Sequence, residues 1–141
     1  SVIRLSHSGA RVAMIIDGHV YIAAVAQSSS GDKRIVNARE VGPEVSGSAL
    51  SLDWNADGSL IVGTSSSQSP VWRIEQDGSS ASTMPTGNIT APVVAVATSP
   101  TKLFITDSHA MLELPSTVMD ETNWREVSGL QGRRSSPIVS N

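Results

Sequence analysis

The stretch Ile3-Arg4-Leu5-Ser6-His7-Ser8-Gly9-Ala10-Arg11-Val12-Ala13-Met14-Ile15-Ile16-Asp17-Gly18-His19-Val20-Tyr21-Ile22-Ala23-Ala24-Val25 decides the fold. Ile3 and Leu5 alternate with Arg4 and Ser6, the period of two that a half-buried strand requires. Ser8-Gly9 breaks the pattern as a turn, and residues 11–16 then form a compact apolar run of the kind found in central strands covered on both faces. Asp17-Gly18 is a hairpin dipeptide, and residues 20–25 supply a third strand. Three short antiparallel strands joined by tight turns are therefore predicted at the start of the chain.

The same phrase recurs. Residues 52–54 lead through Asp57-Gly58 to 60–64 and then, past a Ser-rich turn, to 71–74. Residues 94–96 lead through Ser99-Pro100 to 102–106 and on to 111–114. The turn residues Gly9, Gly58 and Pro100 stand 49 and 42 residues apart, and each unit leaves room for a fourth, more polar strand near residues 33–41, 80–84 and 124–127. No segment keeps apolar residues at helical spacing for three turns; residues 116–121 are read as one helical turn at most. Four strands repeated every 40–50 residues is the pattern of a propeller blade, whose sheet hides its faces only by lying against its neighbours. The expected class is all-β and propeller-like, with about three four-stranded antiparallel blades, either a fragment of a larger ring or one closed by association; a β-sandwich is the competing arrangement. One domain over 1–141 is expected, with blade-like units at 2–41, 49–85 and 92–128 and a tail at 129–141, in which 136–140 read as the entry to a further strand.

Composition narrows the function. The 141 residues are 39% hydrophobic and 16% charged, with a formal net charge of −3, which argues against both a charged disordered chain and a basic nucleic-acid binder. The absence of cysteine excludes disulfides, thiolate metal sites and a cysteine nucleophile. No run reaches the roughly 18 apolar residues of a membrane span, and the opening residues lack the pattern of a signal peptide, as expected of an excised or processed piece.

The repeats carry a more particular likeness. Arg4–Ile16 (RLSHSGARVAMII), Ser51–Thr64 (SLDWNADGSLIVGT) and Val94–Thr106 (VAVATSPTKLFIT) together resemble the C-terminal propeller-like domain of the actinobacterial LpqB lipoprotein family, over about residues 2–129. The resemblance implies an extracytoplasmic protein held at the membrane by a lipidated N-terminal cysteine absent from this sequence, and an upstream GerMN region. It also implies contact with the extracytoplasmic domain of an MtrB-like sensor kinase, and so modulation of the MtrAB two-component system. It supplies no catalytic residue.

Chemistry-bearing residues are few. Asp17-Gly18-His19 and Asp107-Ser108-His109 occupy the same second-to-third-strand turn in units one and three, so both imidazoles are expected on one rim, with His7 on the other. Asp53, Asp57, Asp107 and Glu113 are carboxylates by type only, and the sequence has no G-x-S-x-G elbow and no phosphate-binding loop. Trp54, Trp72 and Trp124 occur one per unit and are expected to fill space between blades, except that Trp124, on the outermost strand, is expected to be exposed. No catalytic residue, metal or cofactor is predicted. The expected role is a non-enzymatic protein-interaction module presenting Asp17, His19, Asp107, His109 and Trp124, with self-association of open blades as a further expectation. The alternative is a ligand-binding or hydrolytic propeller using polar groups at the central channel mouth.

Overall fold

The computed structural model describes residues 2–84, 89–115 and 124–127. They form three four-stranded antiparallel sheets, each a meander in which neighbours in sequence are neighbours in space. The first contains β1 (Val2–Leu5), β2 (Arg11–Ile16), β3 (His19–Gln27) and β4 (Lys33–Val41). The second contains β5 (Ala49–Trp54), β6 (Leu60–Thr64), β7 (Val71–Ile74) and β8 (Ala81–Thr83). The third contains β9 (Ala95–Thr98), β10 (Lys102–Thr106), β11 (Met111–Pro115) and β12 (Arg125–Glu126). A 3₁₀ turn at Pro43–Val45 lies between the first two sheets. The first strands of the three sheets, β1, β5 and β9, lie side by side. This is the propeller arrangement; two face-to-face sheets with crossing connections are not present among the described residues.

Burial follows position in the sheet. The middle sheet is covered on both sides, and β6 is buried at all five residues. One side of it joins Ala13, Ile15, Val20 and Ile22 of the first sheet in a cluster with Leu52, Trp54, Leu60 and Val62. The other side joins Leu103, Ile105, Leu112 and Leu114 of the third sheet in a cluster with Ile61, Val71 and Val93. Alternation along a strand sends successive side chains to opposite faces, so Ile61 falls in one cluster and Leu60 and Val62 in the other. Gly63 is where the backbones come closest: a Cβ there would sit 2.5 Å from both Ser51 Oγ and Val93 Cγ1. The outer strand β4 is exposed along nearly its whole length and carries Lys33, Arg34, Arg39 and Glu40, which discourages edge-to-edge pairing.

Strand bounds agree with the sequence reading at β2, β4, β6, β7 and β10. The inner strand β5 begins at Ala49 and β9 runs Ala95–Thr98, each displaced from the predicted span. Between Ile22 and Ala24 the register of β3 against β4 shifts, with Asn37 at φ 57°. The helical turn expected at 116–121 and the strand expected at 136–140 lie outside the described residues.

Candidate functional site

The two rims of the sheets are built differently. One rim carries the turns between second and third strands together with the inter-sheet loops, and backbone hydrogen bonds stitch these pieces together. The Asp17-Gly18 turn, with both residues at positive φ, presents the Gly18 carbonyl to the amides of Gly47 (2.9 Å) and Ala49 (3.1 Å). Ser65 N donates to Ser48 O at 3.0 Å and Val93 N to Thr64 O at 2.9 Å, which fastens the β6–β7 turn to the loops on either side. In the third sheet Ser108 N and Oγ both donate to Thr90 O, at 3.1 and 3.2 Å.

The predicted site residues of this rim serve that architecture. Asp107 is buried, and its carboxylate accepts the amides of Thr90 (2.9 Å), His109 (2.8 Å) and Ala110 (2.9 Å). Burial alone raises its pKa, but the three amide donors outweigh burial and hold it below the usual carboxylate range. His19 Nδ1 donates to Glu40 Oε2 at 2.7 Å, and Ser46 Oγ donates to the same oxygen at 3.0 Å while lying 2.8 Å from Nδ1. Hydrogen bonds from His19 and then Ser46 hold Glu40 below its ordinary pKa. Serine and carboxylate thus meet the same ring nitrogen, whereas a nucleophile–base–carboxylate relay needs them on opposite nitrogens. Asp17 and His109 are exposed.

Trp124 corrects the sequence reading. It is 1% exposed, because it precedes β12 and packs into the cluster with Leu103, Ile105, Leu112 and Leu114. Outermost position in a sheet does not decide which face a ring takes, and a large ring gains most by filling the inter-sheet space. Asp107, at 6%, is equally unable to offer a contact surface.

The opposite rim is joined by side chains, and Trp54 is their meeting point. Its indole donates to Arg4 O at 3.0 Å, and its carbonyl accepts from His7 Nε2 at 3.2 Å and from Thr98 Oγ1 at 2.6 Å. One residue of the second sheet therefore ties both others. Thr98 N also donates to Asp53 Oδ2 at 3.1 Å. Two concavities of this rim flank His7: one of about 240 Å³ is lined by His7, Ala56, Thr98, Ser99 and Pro100, and one of about 200 Å³ includes His7, Ser8, Asp57 and Gln76. Asp57 binds Arg73 at 2.9 Å and Ser59 Oγ at 2.6 Å; burial opposes, but these partners keep it below its usual pKa. Glu113 faces Lys102 and Arg125. The four carboxylates named from the sequence are thus held by four separate sets of partners. No cluster of three or more His, Asp or Glu able to hold a metal occurs among the described residues. Sequence reasoning did not find Glu40, Ser46 or the Trp54–Thr98 link, since each depends on cross-strand register or on contact between sheets.

Comparison with known proteins agrees with this geometry. The family model for the lipoprotein LpqB beta-propeller domain matches residues 1–140. The chain is 48% identical over 139 residues to lipoprotein LpqB of Corynebacterium diphtheriae and 41% identical over 140 residues to that of Corynebacterium jeikeium, in both cases covering 99% of this chain and 24% of the relative. The match to Mycobacterium tuberculosis lipoprotein LpqB is 27% identical over 137 residues, or 97% of this chain and 23% of the relative. The chain thus spans about a quarter of the length of these relatives. Among solved structures, a puromycin hydrolase superposes with a TM-score of 0.61 over 90% of this chain and 21% of its own at 17% identity, a likeness of fold. Three stacked four-stranded meanders and a family match over nearly every residue lead to one assignment: the chain belongs to the lipoprotein LpqB β-propeller domain family.

Proposed function

We propose that the chain is a non-enzymatic interaction module of an extracytoplasmic lipoprotein, and that its partner is the extracytoplasmic domain of an MtrB-like sensor kinase, whose MtrAB signalling it modulates. In the full-length protein a lipidated cysteine, a residue type this sequence lacks, anchors it to the membrane. The observation that carries the reading is the engagement of His19, Glu40 and Asp107 within the stitched rim, His19 with Glu40 and Ser46, and Asp107 with three main-chain amides. Among the described residues, that leaves a polar surface on which these groups do not converge as a catalytic set. Backbone bonds between loops lower the cost of ordering a contact surface on binding. The contact falls on the outer part of that rim, at Asp17, His19 and His109 and the loops around 42–48 and 65–70; Asp107 supports it from within, whereas Trp124, level with Leu114 and Thr98, lies toward the other rim.

Capture of the chain by the kinase domain tests this. Combined Asp17→Ala, His19→Ala and His109→Ala substitutions are expected to weaken capture at least about tenfold, while Ser8→Ala with Gln76→Ala on the other rim leaves it intact. Undiminished capture by the triple variant refutes the assignment. The second reading, a ligand-binding or hydrolytic propeller, is favoured by the concavities around His7. It predicts that His7→Ala abolishes binding of a small ligand without affecting capture.

A further inference from the structure

The fourth strands of the three sheets differ in length. β4 runs nine residues, whereas β8 has three and β12 two. Each is outermost in its sheet, so the edge of β4 that faces away from β3 has no partner strand among the described residues. Natural sheets keep such edges short or charge them. The main chain at the start of β4 is open in a defined way. Ser28 N donates to Asp32 O at 2.8 Å, and the same register continues through Gln27–Lys33 and Ala26–Arg34 to Val25–Ile35. Bonded and non-bonded pairs alternate along an antiparallel ladder. Arg34 therefore spends its N–H and C=O on β3, while Lys33 and Ile35 turn theirs outward. Beyond Val36 the ladder is interrupted by the shift at Ile22/Ala24, with Asn37 at φ 57°. The open stretch is residues 33–36.

We propose that residues 33–36 of β4 form a strand-addition site for an extended, acidic peptide segment of a partner protein, at the end of β4 away from the stitched rim. Main-chain pairing supplies the affinity of such a site, and the flanking side chains supply its choice of partner. Lys33, Arg34 and Ile35 are exposed, and neither Lys33 nor Arg34 forms an ion pair among the described residues. Successive side chains of a strand point to opposite faces. Lys33 thus lies on one face of the sheet and Arg34 on the other, and an acidic side chain of the added strand meets a cation on either face. The surrounding charge has the same sign: residues 2–41 hold five of the ten Lys and Arg but three of the thirteen Asp and Glu, in a chain of net charge −3. A second copy of the chain brings the same cations to the edge, which opposes self-pairing. An anionic membrane surface would engage the two cations but leave the open main-chain groups of Lys33 and Ile35 unused.

The test uses short end-blocked peptides labelled for fluorescence anisotropy: one of alternating Thr and Glu, its counterpart of alternating Thr and Lys, and a form of the Glu peptide N-methylated at every amide. The Glu peptide is expected to bind the 141-residue chain at least about tenfold more tightly than the Lys peptide. Combined Lys33→Glu and Arg34→Glu substitutions are expected to reverse that preference. N-methylation keeps the charge but removes the main-chain donors, and is expected to weaken binding at least about tenfold. Amide exchange at Lys33 and Ile35 is expected to slow when the Glu peptide is added. Equal binding of the N-methylated and parent peptides overturns the proposal, since charge alone then accounts for it, and so does a lack of preference for the Glu peptide. Binding to phosphatidylglycerol vesicles that the double substitution abolishes, with no binding of the Glu peptide, assigns the cations to a membrane surface instead. Slow exchange at Lys33 and Ile35 without peptide, growing slower with protein concentration, assigns the edge to a second copy; either result overturns the proposal.

Discussion

The stitched rim and the Trp54 rim join the same three sheets by different means. On the first, main-chain groups of turns and loops bond to one another: Gly18 to Gly47, Ser48 to Ser65, Thr64 to Val93. On the second, one tryptophan collects Arg4, His7 and Thr98. Main-chain joints depend on turn shape and little on side-chain identity, whereas the side-chain joint rests on one ring. A single substitution is therefore expected to do most harm at Trp54, and the stitched rim is vulnerable chiefly where a side chain obstructs the close approach of two backbones.

The largest effect is expected from Trp54→Ala. Removing a fully buried ring costs about 3–5 kcal/mol, and the Arg4 carbonyl also loses its donor. A urea midpoint close to that of the unaltered chain would dissolve the contrast between the rims. Glycines sharpen it. Gly18 on the stitched rim has φ 81° with a Cβ position 2.7 Å from the Gly47 carbonyl, whereas Gly9 on the other rim has φ 78° and nothing within 4 Å. Gly9→Ala is expected to cost about 1–2 kcal/mol for the left-handed conformation, and Gly18→Ala a further 1–3 or so for the clash; equal losses would mean that the two turns are equally free.

Asp107→Ala leaves three amides without their acceptor, a loss of about 1–3 kcal/mol. The pH dependence carries a sign. The folded-state pKa of Asp107 lies below the ordinary value of 3.8, so its contribution is complete above that value and is lost as pH falls through the depressed folded pKa. Acid titration of stability should be shallower below about pH 4 in Asp107→Ala than in the unaltered chain; parallel curves would count against the buried clasp. The smallest effect is expected from His7→Ala, which removes one part-buried hydrogen bond worth about 0.5–1.5 kcal/mol.

What was legible in the sequence follows from the same contrast. β2, β6, β7 and β10 are recovered to the residue because turn signals bound their apolar runs; β6, in the sheet covered on both sides, is buried throughout. The turns of the stitched rim were legible as Asp-Gly and Asp-Ser-His, but their partners were not, because Thr90 and Gly47 meet them only through the path of the inter-sheet loops. The shift in β3–β4 register at Ile22/Ala24 left no mark beyond Asn37, one of two non-glycine residues at positive φ among those described. Trp124 was misread because strand order says which residue is outermost but not which face its ring takes; the ring goes to the cluster of the third sheet.

Amide hydrogen exchange at Gly47, Ser65, Thr90 and Val93 is the most direct test of the account, since all four lie outside the strands and all donate across the stitched rim. The account predicts protection comparable with that of β6 amides. Exchange at the rate of an unstructured loop would contradict it.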